Sequence, residues 1–331
     1  MASRVRHRAT ALLAATLMVT ACTTQTGRIG LDDGRDGCRT QLVALDSTGN
    51  FFGEDILRGA AIGAVGGALV GGLATGRWQG ALIGAAAGGL GGAAVGYFGA
   101  VQRQARDQAA VSAQIGSDLQ RENAELDRTQ VAFDQLMDCR LRSAAIVRGA
   151  AMEGRLDRGT ARAQLAEIRG RFDGDLRLAQ AINGRIATRG GEFDTAIDAV
   201  VPGGKEGARN VYATRRQVVQ AAPRRTVALR FRPNSGSAEV AQIGARDVVS
   251  VRPGSAGFAM VETASGVRGY APAEAFQGTR AANFGSVPDV QASGGDMRTR
   301  AATNIARRET FSESVGNAER LASSGGFELP G

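Results

Sequence analysis

The most regular pattern in the chain lies between Ile56 and Ala100, where small and apolar residues run almost without interruption. Gly59, Gly63, Gly67 and Gly71 recur at every fourth position, and after a break Gly80, Gly84, Gly88, Gly92 and Gly96 do the same. Four-residue steps place these glycines along one face of a helix. Each costs about 1 kcal/mol of helix stability against alanine in water. The register makes sense where backbones must approach closely, as between helices inside lipid. Residues 56–74 and 79–99 would form helices about 28 and 31 Å long, against a hydrocarbon core about 30 Å thick. Thr75-Gly76-Arg77-Trp78 reads as the turn between them, with Arg77 and Trp78 suited to one interface and Tyr97 to the other. The pattern predicts a two-helix hairpin over 56–99 that packs on its glycine faces, with both ends on one side of a membrane. A soluble alanine/glycine helix pair packed on other helices is the alternative.

The periodicity changes after Ala100. Val111, Ile115, Leu119, Leu126, Phe133, Met137 and Leu141 follow multiples of roughly 3.5 positions in a polar background. A turn is expected at Gly154–Gly159, with Thr160 as helix cap. A second series then runs through Leu165, Ile168, Phe172, Leu176, Ala179, Ile182 and Ile186. Residues 100–201 are therefore expected as an antiparallel helical hairpin or short coiled coil, closed by Pro202-Gly203-Gly204. Residues 202–225 read as a linker with one possible helix near 208–222. From Thr226 the pattern turns to alternation, as in Val248, Ser250, Arg252 and Ala259, Val261, Thr263, with Ser265-Gly266 where a hairpin turn is needed. Residues 278–331, rich in Gly, Ser, Asn, Ala and Arg, read as a flexible tail with one short helix near 297–321. The fold class is thus mostly α: a glycine-zipper hairpin, a helical hairpin or coiled coil, then a small C-terminal β-barrel and the tail.

Composition sharpens this picture. With 47 glycines and only 5% aromatics in 331 residues, an elongated modular protein is expected in place of one large core. The formal charge is +8, carried almost wholly by arginine, and no aromatic-flanked basic stripe suggests nucleic acid as a partner. Arg4, Arg6 and Arg8 precede a short apolar run over 9–19, the order of a secretory leader (residues 1–21). The only histidine, His7, lies inside it, so histidine-based catalysis and most metal sites are not expected beyond the leader. No catalytic residues, metal ligands or cofactor motifs emerge, and an enzyme is not expected. In an oxidising compartment Cys38 and Cys139 are candidates for a disulfide, within one chain or between two. An unbroken helix from Ala100 would carry Cys139 about 58 Å away. An intrachain bridge therefore requires a bend near Gly116 or an N-terminal segment, within the anchor-proximal linker 22–55, lying along the helix.

Three resemblances extend this reading. Val19-Thr20-Ala21-Cys22 resembles the bacterial lipobox, which implies cleavage before Cys22 and acylation of that residue, here without an aspartate following it. GAAIGAVGGALVGG with GALIGAAAGGLGGAAVG resembles the glycine-zipper domain of the rickettsial 17 kDa surface antigen family, small outer-membrane lipoproteins. Residues 226–277 resemble a bacterial SH3-like (SH3b) domain. The matches are Arg232-Pro233, Gly244-Ala245, Gly257-Phe258-Ala259-Met260-Val261 and Gly266-Val267-Arg268-Gly269-Tyr270-Ala271, with Phe258 where the family usually has Trp. That resemblance implies a barrel with a groove lined by Phe231, Phe258 and Tyr270, and peptidoglycan or a periplasmic protein as partner. Together they imply a structural or adaptor lipoprotein on the periplasmic face of the outer membrane, with membrane lipid as partner and a tendency to self-associate. A membrane-active oligomer, a pore or secretion-apparatus component built through the zippers, is the rival expectation.

Overall fold

The computed structural model describes residues 28–52, 97–102, 105–201, 203–215, 218–286, 296–323 and 325–329. The expected leader, Cys22 and the zipper glycines from Gly59 to Gly96 lie outside the described residues. The described elements are a helix over 39–52 (α1), a short helix over 97–102 (α2), α3 (Gln108–Met152), α4 (Arg158–Val200), α5 (Gly204–Arg215), six strands, two 3-10 turns, and α6 (Met297–Ser323).

α3 and α4 are each more than forty residues long and pack as an antiparallel hairpin. Asp107 starts α3 by accepting the Ala110 N–H at 2.8 Å. Asp157 starts α4 by accepting the Thr160 N–H at 2.9 Å, so the cap falls three residues before the expected Thr160. α4 continues through Gly190-Gly191 to Val200 because Phe193, Ala196 and Ile197 remain buried beyond them. All seven apolar positions of the α3 series are buried, as are six of the α4 series, with Ile168 partly covered. Burying such a stripe contributes roughly 1.5–3 kcal/mol per large side chain, which is what holds helices with so few aromatics together.

α6 is the largest departure from the sequence expectation. The helix expected near 297–321 is present as Met297–Ser323, but it is no part of a flexible tail: it is the third long helix of the bundle, parallel to α3 and antiparallel to α4. Phe311 sits on Phe133 with ring centres 5.5 Å apart, and beyond the helix end Phe327 sits on Phe172 at 4.9 Å. The buried face of α6 is built from Ala301, Ala302, Ile305, Phe311, Val315, Ala318 and Leu321. So many alanines and buried polar residues (Thr303, Asn304, Asn317) hide the stripe from a hydrophobicity reading. The expected helix near 208–222 is also shifted. It spans Gly204–Arg215, and Val219–Ala221 is already a strand.

The six strands are β1 (Val219–Ala221), β2 (Val227–Arg230), β3 (Glu239–Ile243), β4 (Val249–Arg252), β5 (Phe258–Glu262) and β6 (Arg268–Pro272). They form one antiparallel sheet in the order β1-β4-β5-β6-β2-β3 that does not close into the expected barrel. Ala259, Val261 and Ala271 bury one face with Leu229, Val251 and Phe276. The other face lies on α3 and α6, so the bundle covers what closure would otherwise have to protect.

Candidate functional site

The zipper itself is outside the described residues, but the residues on either side of it meet at one place on the bundle. Phe52 is fully buried, and Phe51 packs edge-on against it with ring centres 5.2 Å apart. The Arg189 guanidinium lies 5.0 Å from the Phe51 ring centre and 5.8 Å from that of Phe193. Tyr97 packs on the same Phe193 at 5.2 Å and donates its hydroxyl to Asp118 at 2.7 Å. Arg189 is held by Glu122, with its Nε at 3.0 Å and Nη2 at 2.5 Å from the carboxylate. Both charges of this pair are buried, so neither can be removed cheaply. Cation and ring contacts thus bring the entry to the zipper and the exit from it to neighbouring positions.

A second cluster holds residues 28–52 along the bundle as a strap. Cys38 and Cys139 are joined in a disulfide within the chain, Cα to Cα 5.9 Å, across 101 positions. α3 runs unbroken through Gly116, so it is the N-terminal segment that comes to Cys139 and not a bend that brings Cys139 back. Beside the bridge, Arg140 is only 3% exposed. It donates to Asp175 on α4 at 2.7 Å through Nε and binds Asp36 of the strap through both terminal nitrogens. Asp36 also accepts the Cys38 N–H at 2.9 Å, capping the start of α1. Burial works against the Asp36 charge, but the Arg140 and Cys38 hydrogen bonds outweigh it and hold its carboxyl below the usual carboxylate range. For Asp175 burial wins over Arg140, and its pKa is pushed up to about 6. Lower on the strap, Arg28 pairs with Asp46 at 2.8 Å, and Gly49 lies so close to α4 that a Cβ there would stand 2.6 Å from Ile182 Cδ1. Between strap and α4 a cleft of about 600 Å³ remains, lined by both charged and aliphatic side chains.

The expected SH3b groove residues do not form one open surface. Phe231 is buried in the bundle core cluster, and Tyr270 shares with it a cavity of about 40 Å³ beneath Asp134 of α3 and Ser314 and Asn317 of α6. Phe258 lies at the far end of β5, paired in register with Pro272. Burial raises the Tyr270 hydroxyl well above its ordinary range. It also pushes Asp134 up to about 7, against the hydrogen bond from Gln130. Neighbouring Asp138 accepts the Ser237 hydroxyl at 2.6 Å and the Ala238 N–H at 2.7 Å, fixing the β2–β3 connection to α3. Arg268 on β6 bonds Glu262, its N–H donates to Asn317 at 2.9 Å, and its guanidinium meets Glu313 of α6 at 3.0 Å. Of the three residues expected to line a groove, Phe231 and Tyr270 therefore face the chain's own helices α3 and α6.

Among the described residues no group of acidic, cysteine or histidine side chains is placed to hold a metal ion, and no helix is long and apolar enough to cross a membrane. Residues 58–103 match the family model described as a glycine zipper, a match that begins just after Leu57 and runs to the end of α2. The chain therefore carries a glycine zipper, and that family points to association with the outer membrane or envelope. No similar protein was found among curated proteins or solved structures.

Proposed function

We propose that the protein is a structural adaptor of the bacterial envelope, anchored by acylated Cys22 and by a zipper hairpin over 56–99, with the helical bundle as a rigid body standing on that anchor. The observation that carries this reading is the convergence of Phe51 and Tyr97 on the Arg189–Phe193 corner. A segment whose two ends leave side by side is suited to enter a membrane and return. The glycine spacing supplies the close packing such a return needs. The strap adds a second tie. Arg28, six residues after Cys22, is fixed at Asp46, so the acyl anchor is within reach of the end of the molecule from which the zipper departs.

In this reading the β-sheet and its 3-10 turns form a head fixed to the bundle, and the partner meets the bundle–sheet unit as a whole. Peptidoglycan or a periplasmic protein remains the partner class we propose, and self-association runs through the zipper. The test is radiolabelled palmitate incorporation and cell fractionation. Wild type should take up label and sediment with outer membranes, and Cys22→Ser should lose the label. Label retained by Cys22→Ser, or wild type free in the soluble fraction, would refute the anchor.

A further inference from the structure

We propose that the cleft between the strap and α4 binds a single-chain anionic amphiphile, one acyl chain bearing a carboxylate or phosphate head. Its volume of about 600 Å³ is that of a small-ligand pocket, which one acyl chain fills and a two-chain lipid exceeds. Ile29, Leu42, Leu178 and Ile182 supply an aliphatic lining. The acids of the lining are already engaged. Asp46 is taken by Arg28, Asp36 and Asp175 by Arg140, and Asp33 by Arg171, while Asp32 accepts the Gly34 N–H. Arg177 and Arg185 of α4 also line the cleft, about 12 Å apart along the helix, and no acidic partner holds either one among the described residues. The cleft therefore offers cationic charge over an apolar floor, the two features a charged head and its tail require.

Position favours a lipid over a small soluble anion. Gly49 and Asn50 line the cleft immediately before Phe51 and Phe52, after which the chain leaves toward the zipper. Leu31 stands at the rim 83% exposed, a large aliphatic side chain held in water beside an apolar floor. The strap forms one wall, so the disulfide at Cys38 and the Arg140 bonds to Asp36 keep the cleft shaped. The inference rests on the membrane placement proposed above only for the supply of lipid.

The test uses the full chain in nanodiscs of zwitterionic two-chain lipid, with the Cys22→Ser protein run in parallel so that its own acyl chains are absent. Diazirine-labelled palmitic acid, diazirine-labelled lysophosphatidylglycerol and a neutral diazirine-labelled monoacylglycerol are each titrated, photolysed and mapped by peptide mass spectrometry. The expected result is saturable labelling of peptides containing Leu42 or Leu178–Ile182 by the acid or the lysophospholipid, in both proteins. The head that labels at lower concentration identifies the source. The double variant Arg177→Glu/Arg185→Glu should raise the half-saturating concentration at least tenfold and leave labelling of 56–99 unchanged. Adducts on 56–99 with none in the cleft, equal cleft labelling by the neutral probe, or indifference to the charge reversal would overturn the proposal. Absence of adducts on 56–99 would instead count against the membrane hairpin.

Discussion

At the scale of single residues, the molecule depends on a few charged side chains that lie where a hydrophobic stripe would lead one to expect aliphatic ones. Arg140 is the clearest case, because it joins α3, α4 and the strap through Asp175 and Asp36. Replacing it by methionine leaves Asp175 buried without its paired cation, and Asp36 with only the longer pair to Arg171 at 3.4 Å. The expected loss is about 3–5 kcal/mol, read as a fall in the denaturant midpoint at pH 7. Asp134 makes an opposite prediction. Its folded pKa of about 7 lies above its ordinary value of 3.8, so the native state favours the protonated acid. Below pH 3.8 the group is protonated in both states and costs nothing. Between pH 4 and 7 the unfolded chain ionises first, stability falls, and above pH 7 the loss is complete. Asp134→Asn keeps the acceptor for Gln130 and removes that penalty. It should match wild type near pH 4 and exceed it by about 2 kcal/mol at pH 8 in urea unfolding, after discounting for partial exposure.

At the scale of elements, tight approaches and one covalent tie decide how the pieces assemble. Gly49 lets α1 lie against Ile182, and Gly49→Leu should lift the strap from α4. Amide exchange over 39–52 is then expected to rise to loop-like rates while α3 and α4 stay protected. Cys38→Ser removes a closure of 101 positions and should cost about 2–4 kcal/mol, visible as a lower melting temperature that reducing agent no longer affects. Phe311→Ala opens a cavity between α6 and Phe133 and is expected to cost about 3–5 kcal/mol. Legibility in the sequence follows the same physics. The stripes of α3 and α4 were readable because their buried positions are mostly large and aliphatic, so the period survives the polar background. α6 was not readable as a bundle member, since it buries alanine, threonine and asparagine against helices that only the folded chain brings near. Arg140, Arg189 and Asp134 were equally silent. In a chain so rich in arginine, a charge on a helix looks like surface, and only tertiary contact distinguishes a buried one. The cysteine pair could be listed from the sequence, yet its route became clear only with the strap in view. The strands were legible as alternation, but not the bundle's occupation of their second face, which leaves Phe231 buried and Tyr270 half-buried.

At the scale of the whole molecule, the described residues form a long bundle with a sheet fixed to its side, and the glycine zipper departs from one corner of it. Strap, zipper entry and zipper exit gather there, through Arg28–Asp46, Phe51 and Tyr97. Such an arrangement ties Phe51 and Tyr97, on either side of the zipper, to one corner of the bundle, where Arg189 and Glu122 hold from within. In the proposed reading, the two glycine-stepped stretches nest together in hydrocarbon and retain the protein there without help from an acyl chain. Extraction of membranes with alkaline sodium carbonate, performed on Cys22→Ser, tests it most directly. This protein is expected to stay in the membrane pellet; its release into the supernatant would show that the glycine-stepped hairpin does not hold it in hydrocarbon.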